Sequence, residues 1–102
     1  MSIKHALTAI IYDKRGRVLS IGQNSYVKTH PLQAYHAKLT GKEKAVFLHA
    51  EIHAITRCAN LERAHKISIF RYDRGGKPVK AAPCKICLSA IKQTPIKVIE
   101  HT

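Results

Sequence analysis

The chain has 102 residues and a formal net charge of +12, from 18 lysines and arginines against 6 aspartates and glutamates. Its length suits one domain, residues 1–102, and excludes two, while an odd count of three cysteines argues against a closed disulfide framework. No apolar run approaches the roughly 20 residues of a transmembrane helix, and the basic excess indicates a polyanionic partner such as nucleic acid or nucleotides.

The first predicted elements form a β-hairpin. Residues 5–12 are nearly all apolar, which is typical of a buried strand. Residues 13–16 carry a turn signal, and residues 17–22 are predicted as the returning strand. Residues 23–46 show little regularity, apart from a short helix that we expect from Pro31 to Lys38.

The second half of the chain alternates helices and strands. We predict a helix over residues 48–58 that ends near Asn60, a strand over 66–72, a helix over 84–93 and a last strand over 96–100. The first of these helices has an apolar stripe made of Leu48, Ile52, Ile55 and Ala59. Strands separated by helices favour parallel pairing. The sequence therefore predicts an α/β fold, with helices packed on a mixed sheet of four to five strands.

A pair of cysteines gives the strongest chemical signal. Cys84 and Cys87 follow Pro83 at the start of a predicted helix, where a spacing of three points both thiols the same way. A helix N-terminus favours thiolates, which bind zinc. A redox-active pair is the alternative, although such pairs usually follow the first strand of their fold. A four-cysteine zinc site is excluded within one chain.

His49 and Glu51 give the second signal. His49 is a candidate third zinc ligand, and three protein ligands leave a fourth position for water, as in catalytic zinc sites. Glu51 is then a candidate proton carrier. Positions i and i+2 do not share a helix face, so this pairing requires His49 to lie where the chain enters the helix.

Other histidine and cysteine arrangements fit less well. His49 and His53 have the spacing of a metalloprotease motif, but the glutamate is misplaced for it. We interpret His53 as a supporting or surface residue. Cys58 is expected to pack in the core.

The segments His49-Ala50-Glu51 and Pro83-Cys84-Lys85-Ile86-Cys87 resemble the H-x-E and P-C-x-x-C motifs of zinc-dependent nucleobase deaminases. They are most similar to the branch that contains deoxycytidylate deaminases and transfer-RNA adenosine deaminases. The resemblance implies a cytidine-deaminase-like three-layer fold and one zinc ion held by His49, Cys84 and Cys87. It also implies hydrolytic deamination of cytosine or adenine with Glu51 as proton shuttle.

The same resemblance suggests substrate-binding positions. Asn24 follows the second strand, where relatives often place an asparagine that contacts the sugar or base, although a loop-capping role is equally plausible. Main-chain groups near Ala50 and Pro83 are expected to hold the base. Lys28 and His30 are weaker candidates for contact with a phosphate.

The nature of the substrate is less well specified. Six basic residues against two acidic ones lie between residues 61 and 80, and a strand that begins almost at the N-terminus suggests an open pocket. Both observations favour cytosine in single-stranded nucleic acid, with a free deoxycytidine or cytidine nucleotide as the alternative. A catalytically idle, zinc-stabilised nucleic-acid-binding module is a third hypothesis. We expect a cytoplasmic protein with no membrane partner, and a homo-oligomer is not assumed.

Overall fold

The computed structural model describes residues 6–24, 30–41, 49–73 and 75–102. These residues form four strands and three α-helices in the order β1 (Ala6–Asp13), β2 (Val18–Gln23), α1 (Pro31–Leu39), α2 (Ala50–Arg57), β3 (Ala64–Tyr72), α3 (Lys85–Lys92) and β4 (Val98–His101). A single 3-10 turn, Leu61–Arg63, precedes β3.

The turn between β1 and β2 is organised by one aspartate. The side-chain Oδ1 of Asp13 accepts hydrogen bonds from the main-chain N–H groups of Arg15 and Arg17, each over 2.9 Å. Its Oδ2 pairs with the Arg17 guanidinium over 2.9 Å. Gly16 has a φ of 83°, a conformation that glycine adopts without strain. The predicted hairpin is therefore confirmed.

The strands form one mixed sheet in the order β2-β1-β3-β4. β1 pairs antiparallel with β2 and β3, whereas β3 and β4 are parallel and are connected through α3. In register, Ile11 lies between Ser20 on β2 and Ile67 on β3. The predicted α/β class with a mixed sheet is confirmed.

The core lies between the sheet and the helices. The buried sheet residues Ala9, Ile11, Ile67 and Ile69 alternate along β1 and β3, as expected for one face of a pleated sheet. The helices contribute a second group of fully or almost fully buried residues, namely Ile52, Ala54, Ile86, Ala90 and Ile91. This arrangement fixes α2 and α3 above the central strands.

β2 and α2 approach each other unusually closely at Gly22. A Cβ atom added there would lie 2.5 Å from the carbonyl oxygen of Ala50 and 2.8 Å from the Cα of Ala54. The Ser20 hydroxyl donates a hydrogen bond of 2.7 Å to the carbonyl oxygen of Ala54. Two small residues of β2, Ser20 and Gly22, therefore set how closely α2 packs against the sheet.

Element boundaries differ from the predicted ones by a few residues. α2 ends at Arg57, because Cys58 turns to an extended backbone with ψ of 104°. Ala59 is consequently exposed rather than part of the apolar stripe, and Leu48 lies outside the described residues. β3 begins two residues earlier and β4 two residues later than predicted. Within the described ranges, no helix has the length and apolar character needed to cross a membrane.

Candidate metal centre

Two helices begin at the residues that the motifs single out. His49 is the N-cap of α2, with an extended backbone of φ −83° and ψ 155°. Cys84 is the N-cap of α3, with φ −73° and ψ 173°. Helical positions i and i+2 point to different faces. This restriction does not apply to His49 and Glu51, because His49 precedes the helix. The chain-entry geometry that the sequence required is therefore present.

The three predicted ligands converge. The Nδ1 atom of His49 lies 3.3 Å from the Sγ atom of Cys87 and 3.5 Å from the Sγ atom of Cys84. All three ligand atoms lie within 4.8 Å of one another. Cys87 is buried, whereas Cys84 is exposed, so the cluster has one closed side and one open side.

This donor set fits zinc. One imidazole nitrogen and two thiolates are ligands that zinc prefers, with bond lengths of about 2.1 and 2.3 Å. Two such ligands at tetrahedral angles are about 3.6 Å apart, which is close to the measured nitrogen–sulfur distances. A cluster of three protein ligands also leaves one coordination position for a non-protein ligand.

The electrostatics of the cluster favour a thiolate at Cys84. The pKa of Cys84 is lowered to about 3, chiefly by the hydrogen bond from the neighbouring Cys87 thiol. His49 lowers this pKa further, whereas burial raises it. The same contact with Cys84, together with burial, raises the pKa of Cys87. The interaction with Cys84 also raises the pKa of His49 against the opposing effect of burial. Cys84 is the N-cap of α3 and Cys87 lies in its first turn, where the helix dipole stabilises negative charge.

Glu51 lies beside the cluster in the first turn of α2. Its side chain is only 5% exposed, and burial is the main cause that raises the pKa of its carboxyl group. The charges of His49 and Cys84 also affect that pKa, in opposite directions. A buried carboxyl group with a raised pKa is suited both to accepting and to releasing a proton.

Two buried polar residues on α1, which were not among the predicted site residues, contact the zinc-ligand helices. The Oε1 atom of Gln33 accepts a hydrogen bond from the main-chain N–H of His49 over 3.2 Å. One turn further on, the Nδ1 atom of His36 lies 2.8 Å from the Ser89 hydroxyl of α3. Helix α1 thus joins the start of α2 to α3. In the sequence, the signal for these two residues is their spacing of three within a short helix. Such a spacing of polar residues is too common to identify buried supporting residues.

The other predicted site residues have varied surroundings. The Oδ1 atom of Asn24 accepts a hydrogen bond of 2.9 Å from the main-chain N–H of Leu7, so this side chain joins the end of β2 to the start of β1. Its contact with a substrate stays a prediction. Ala50 is buried as the first residue of α2. Pro83 is half-buried directly before Cys84.

Three further histidine and cysteine side chains form hydrogen bonds or pack in the core, and the predicted phosphate contact of His30 stays a prediction. The Nδ1 atom of His53 accepts a hydrogen bond of 3.0 Å from the main-chain N–H of Gln23, as a supporting residue would. His30 caps α1 by accepting a hydrogen bond of 3.0 Å from Leu32. Cys58 is buried in the core, whereas Lys28 lies outside the described residues.

Comparison with known families gives one result. The family model described as the cytidine and deoxycytidylate deaminase zinc-binding region matches residues 2–101. The match spans His49, Cys84 and Cys87, whose ligand atoms lie close enough together to hold one metal ion. The resemblance and the zinc cofactor predicted from the two motifs are thereby confirmed. No protein of curated function matches the chain significantly.

Proposed function

This chain belongs to the cytidine and deoxycytidylate deaminase zinc-binding family, and we propose that it converts cytosine to uracil in single-stranded nucleic acid. The observation that carries the proposal is the buried carboxyl group of Glu51 beside the three-ligand cluster. A purely structural zinc site has no need of such a group. Burying it without function would be costly.

We assign the zinc ligands as His49, Cys84 and Cys87. Zinc bound there would supply a Lewis acid that lowers the pKa of water towards about 7. The thiolate character of Cys84 and the open side of the cluster support this assignment.

Glu51 is the proposed proton shuttle. It accepts a proton from water as the water oxygen bonds to C4 of the cytosine ring, and it delivers that proton to ring atom N3. It then carries the second water proton to the amino group as the carbon–nitrogen bond breaks. The balance is cytosine plus water giving uracil plus ammonia. The raised pKa of Glu51, caused by burial, suits both halves of this cycle.

The base would lie against the first turns of the two zinc-ligand helices. The main-chain groups of Ala50 and Pro83 flank the cluster, and we propose that they contact the ring edge. Asn24, at the end of β2, is the proposed contact for the sugar or the base.

A substrate panel tests the proposed activity. The panel contains cytidine, deoxycytidine, their monophosphates, and single- and double-stranded oligonucleotides with one cytosine. Ammonia and uracil are measured for the wild type and for Glu51→Ala. We expect turnover of a single-stranded oligonucleotide by the wild type and none by the variant.

Each other outcome of the panel favours a different function. Turnover of free nucleosides or nucleotides alone would replace the polymer substrate with a small-molecule one. No turnover of any cytosine compound by zinc-loaded protein would overturn the cytosine assignment. Binding of oligonucleotides without turnover would then favour the idle zinc-stabilised module.

A further inference from the structure

A long segment around the second zinc motif has no acidic residue. Between Arg74 and Ile99 the sequence contains six basic residues and no aspartate or glutamate. Five of the six are described, and all five are exposed: Lys77, Lys80, Lys85, Lys92 and Lys97. A solvated surface normally mixes charges of both signs, so an exposed segment with basic residues alone creates a local positive potential.

The five lysines divide between opposite ends of the sheet. Lys92 ends α3, and the main-chain N–H of Lys97 donates to the carbonyl oxygen of His65 near the start of β3. In contrast, the main-chain N–H of Ala81 donates to the carbonyl oxygen of Thr102, which follows the end of β4. Since β3 and β4 are parallel, Lys80 and Lys85 lie at the end where both strands finish. Cys84 lies at that same end.

Lys77 belongs to an ordered hairpin that extends β3 beyond the sheet. The main-chain N–H of Val79 donates to the carbonyl oxygen of Arg71, and that of Asp73 donates to Lys77, over 2.8 and 3.0 Å. The Oδ1 atom of Asp73 accepts hydrogen bonds from the N–H groups of Gly75 and Lys77, over 2.8 and 3.0 Å. Asp73 therefore fixes the turn, and the hairpin presents Lys77 at its tip.

Among the described residues, no acidic side chain forms an ion pair with the lysine amines at this end, namely those of Lys77, Lys80 and Lys85. Lys66, by comparison, pairs with Glu100 over 2.9 Å. Three unpaired cations along one rim repel one another and attract an extended polyanion. They extend from the hairpin tip to the start of α3, and a strand offers several phosphates to such a row whereas a mononucleotide offers one.

We propose that Lys77, Lys80 and Lys85, termed the basic rim, bind the phosphate backbone of single-stranded nucleic acid beside the zinc site. The proposal rests on the proposed function for the identity of the reacting base, but backbone binding itself needs no cytosine. The strand would run along the hairpin and across the start of α3. This path brings one nucleotide to the exposed side of the cluster at Cys84.

A charge-matched pair of variants tests the basic rim. The rim variant carries Lys77→Gln, Lys80→Gln and Lys85→Gln. The control carries Lys14→Gln, Lys92→Gln and Lys97→Gln, three exposed lysines at the opposite end of the sheet. Lys14 belongs to that end because Asp13 pairs with Ala64 at the start of β3. Both variants lose three positive charges, so they differ only in where the charge is removed.

Binding is measured by fluorescence anisotropy with labelled oligo(dT) and oligo(rU) over a series of salt concentrations. Each phosphate contact on a single strand contributes about 0.7 to the slope of log affinity against log salt. We expect the rim variant to reduce that slope by about 2 and the control to leave it nearly unchanged. The double variant Lys77→Gln/Lys80→Gln, which leaves the residue next to Cys84 intact, should reduce the slope by about 1.4.

The outcomes separate this proposal from the deaminase assignment. If the salt slope fell equally in the rim variant and in the control, the basic-rim proposal would be overturned, because net charge alone would then govern binding. An unchanged slope in the rim variant would overturn it as well. The probes contain no cytosine, so neither result depends on whether the protein deaminates anything. Zinc content of each variant shows that the metal site is intact.

Discussion

The side-chain amide of Gln33 holds the main chain at His49. Its Oε1 atom accepts a hydrogen bond from the His49 N–H group over 3.2 Å, and the Gln33 side chain is fully buried. His49 is both the N-cap of α2 and the histidine of the zinc cluster. One hydrogen bond from α1 therefore fixes the backbone from which the imidazole ligand projects.

Replacement of Gln33 by methionine should weaken both the fold and the metal site. The variant keeps the volume of the side chain but leaves the His49 N–H group without this acceptor, at a cost of about 1–3 kcal/mol. Loss of groups that orient metal ligands typically lowers metal affinity by about 10- to 100-fold. We expect both effects, measured by urea unfolding and by zinc competition with a chromophoric chelator.

The exposed Gln93 supplies the control, since Gln93→Met makes the same chemical change at the end of α3. It should retain wild-type zinc affinity and stability. Wild-type zinc affinity in Gln33→Met would contradict a positioning role for the amide, even if the protein were destabilised.

Gly22 should not tolerate a side chain. In Gly22→Ala the new Cβ would overlap main-chain atoms of Ala50 and Ala54, and α2 cannot move away without displacing Glu51. Overpacking of this kind costs about 1–3 kcal/mol or more. Urea unfolding measures the loss. Gly75→Ala is the control, because the nearest atom to its Cβ would be an aspartate side-chain oxygen at 3.4 Å. Equal stability of the two variants would be inconsistent with this packing.

The buried His36 should make the fold sensitive to mild acid. Burial lowers the pKa of His36 below the ordinary histidine value of 6.5. The unfolded chain therefore takes up a proton near pH 6.5 before the folded chain does, and stability falls as the pH drops below that value. Above it, this contribution is fully retained.

The variant His36→Gln removes the titrating group and keeps a polar side chain near Ser89. We expect its free energy of unfolding to fall less between pH 7.5 and pH 5.5 than that of the wild type, as measured by urea titration at each pH. Parallel losses in the two proteins would show that His36 does not contribute to the acid sensitivity.

Cys84 and Cys58 should respond oppositely to the same substitution. Cys84→Ser removes a thiolate from the cluster and should abolish stoichiometric zinc binding, which elemental analysis after gel filtration measures. Cys58→Ser should keep one zinc per chain, because Cys58 packs in the core. A wild type that binds no zinc and forms a disulfide between Cys84 and Cys87 would instead support the redox alternative.

Much of the fold and cluster could be predicted because local patterns carry the information. The apolar alternation around Ile67 and Ile69 specifies a strand, and the turn at residues 13–16 specifies a hairpin. The two motifs place His49 and Cys84 where helices begin. These signals depend on residues within a few positions of one another, so a single sequence suffices to identify them.

The supporting contacts could not be predicted, because they join residues that are far apart in the sequence. Gln33 contacts a residue 16 positions away, and His36 contacts one 53 positions away. In a nine-residue helix, either would ordinarily be assigned to the solvent side. Gly22 similarly follows a strand pattern, and only the close approach of α2 shows why a side chain is excluded. Tertiary packing decides all three positions.

The measurement that tests the central claim most directly pairs zinc content with product formation in the wild type and Glu51→Gln. This substitution keeps the size and hydrogen-bonding capacity of the side chain but removes its ability to carry a proton. We predict one zinc per chain in both proteins, with uracil and ammonia formed from a cytosine oligonucleotide only by the wild type. Equal uracil formation by zinc-loaded Glu51→Gln would contradict the account, and so would a wild-type protein that binds no zinc.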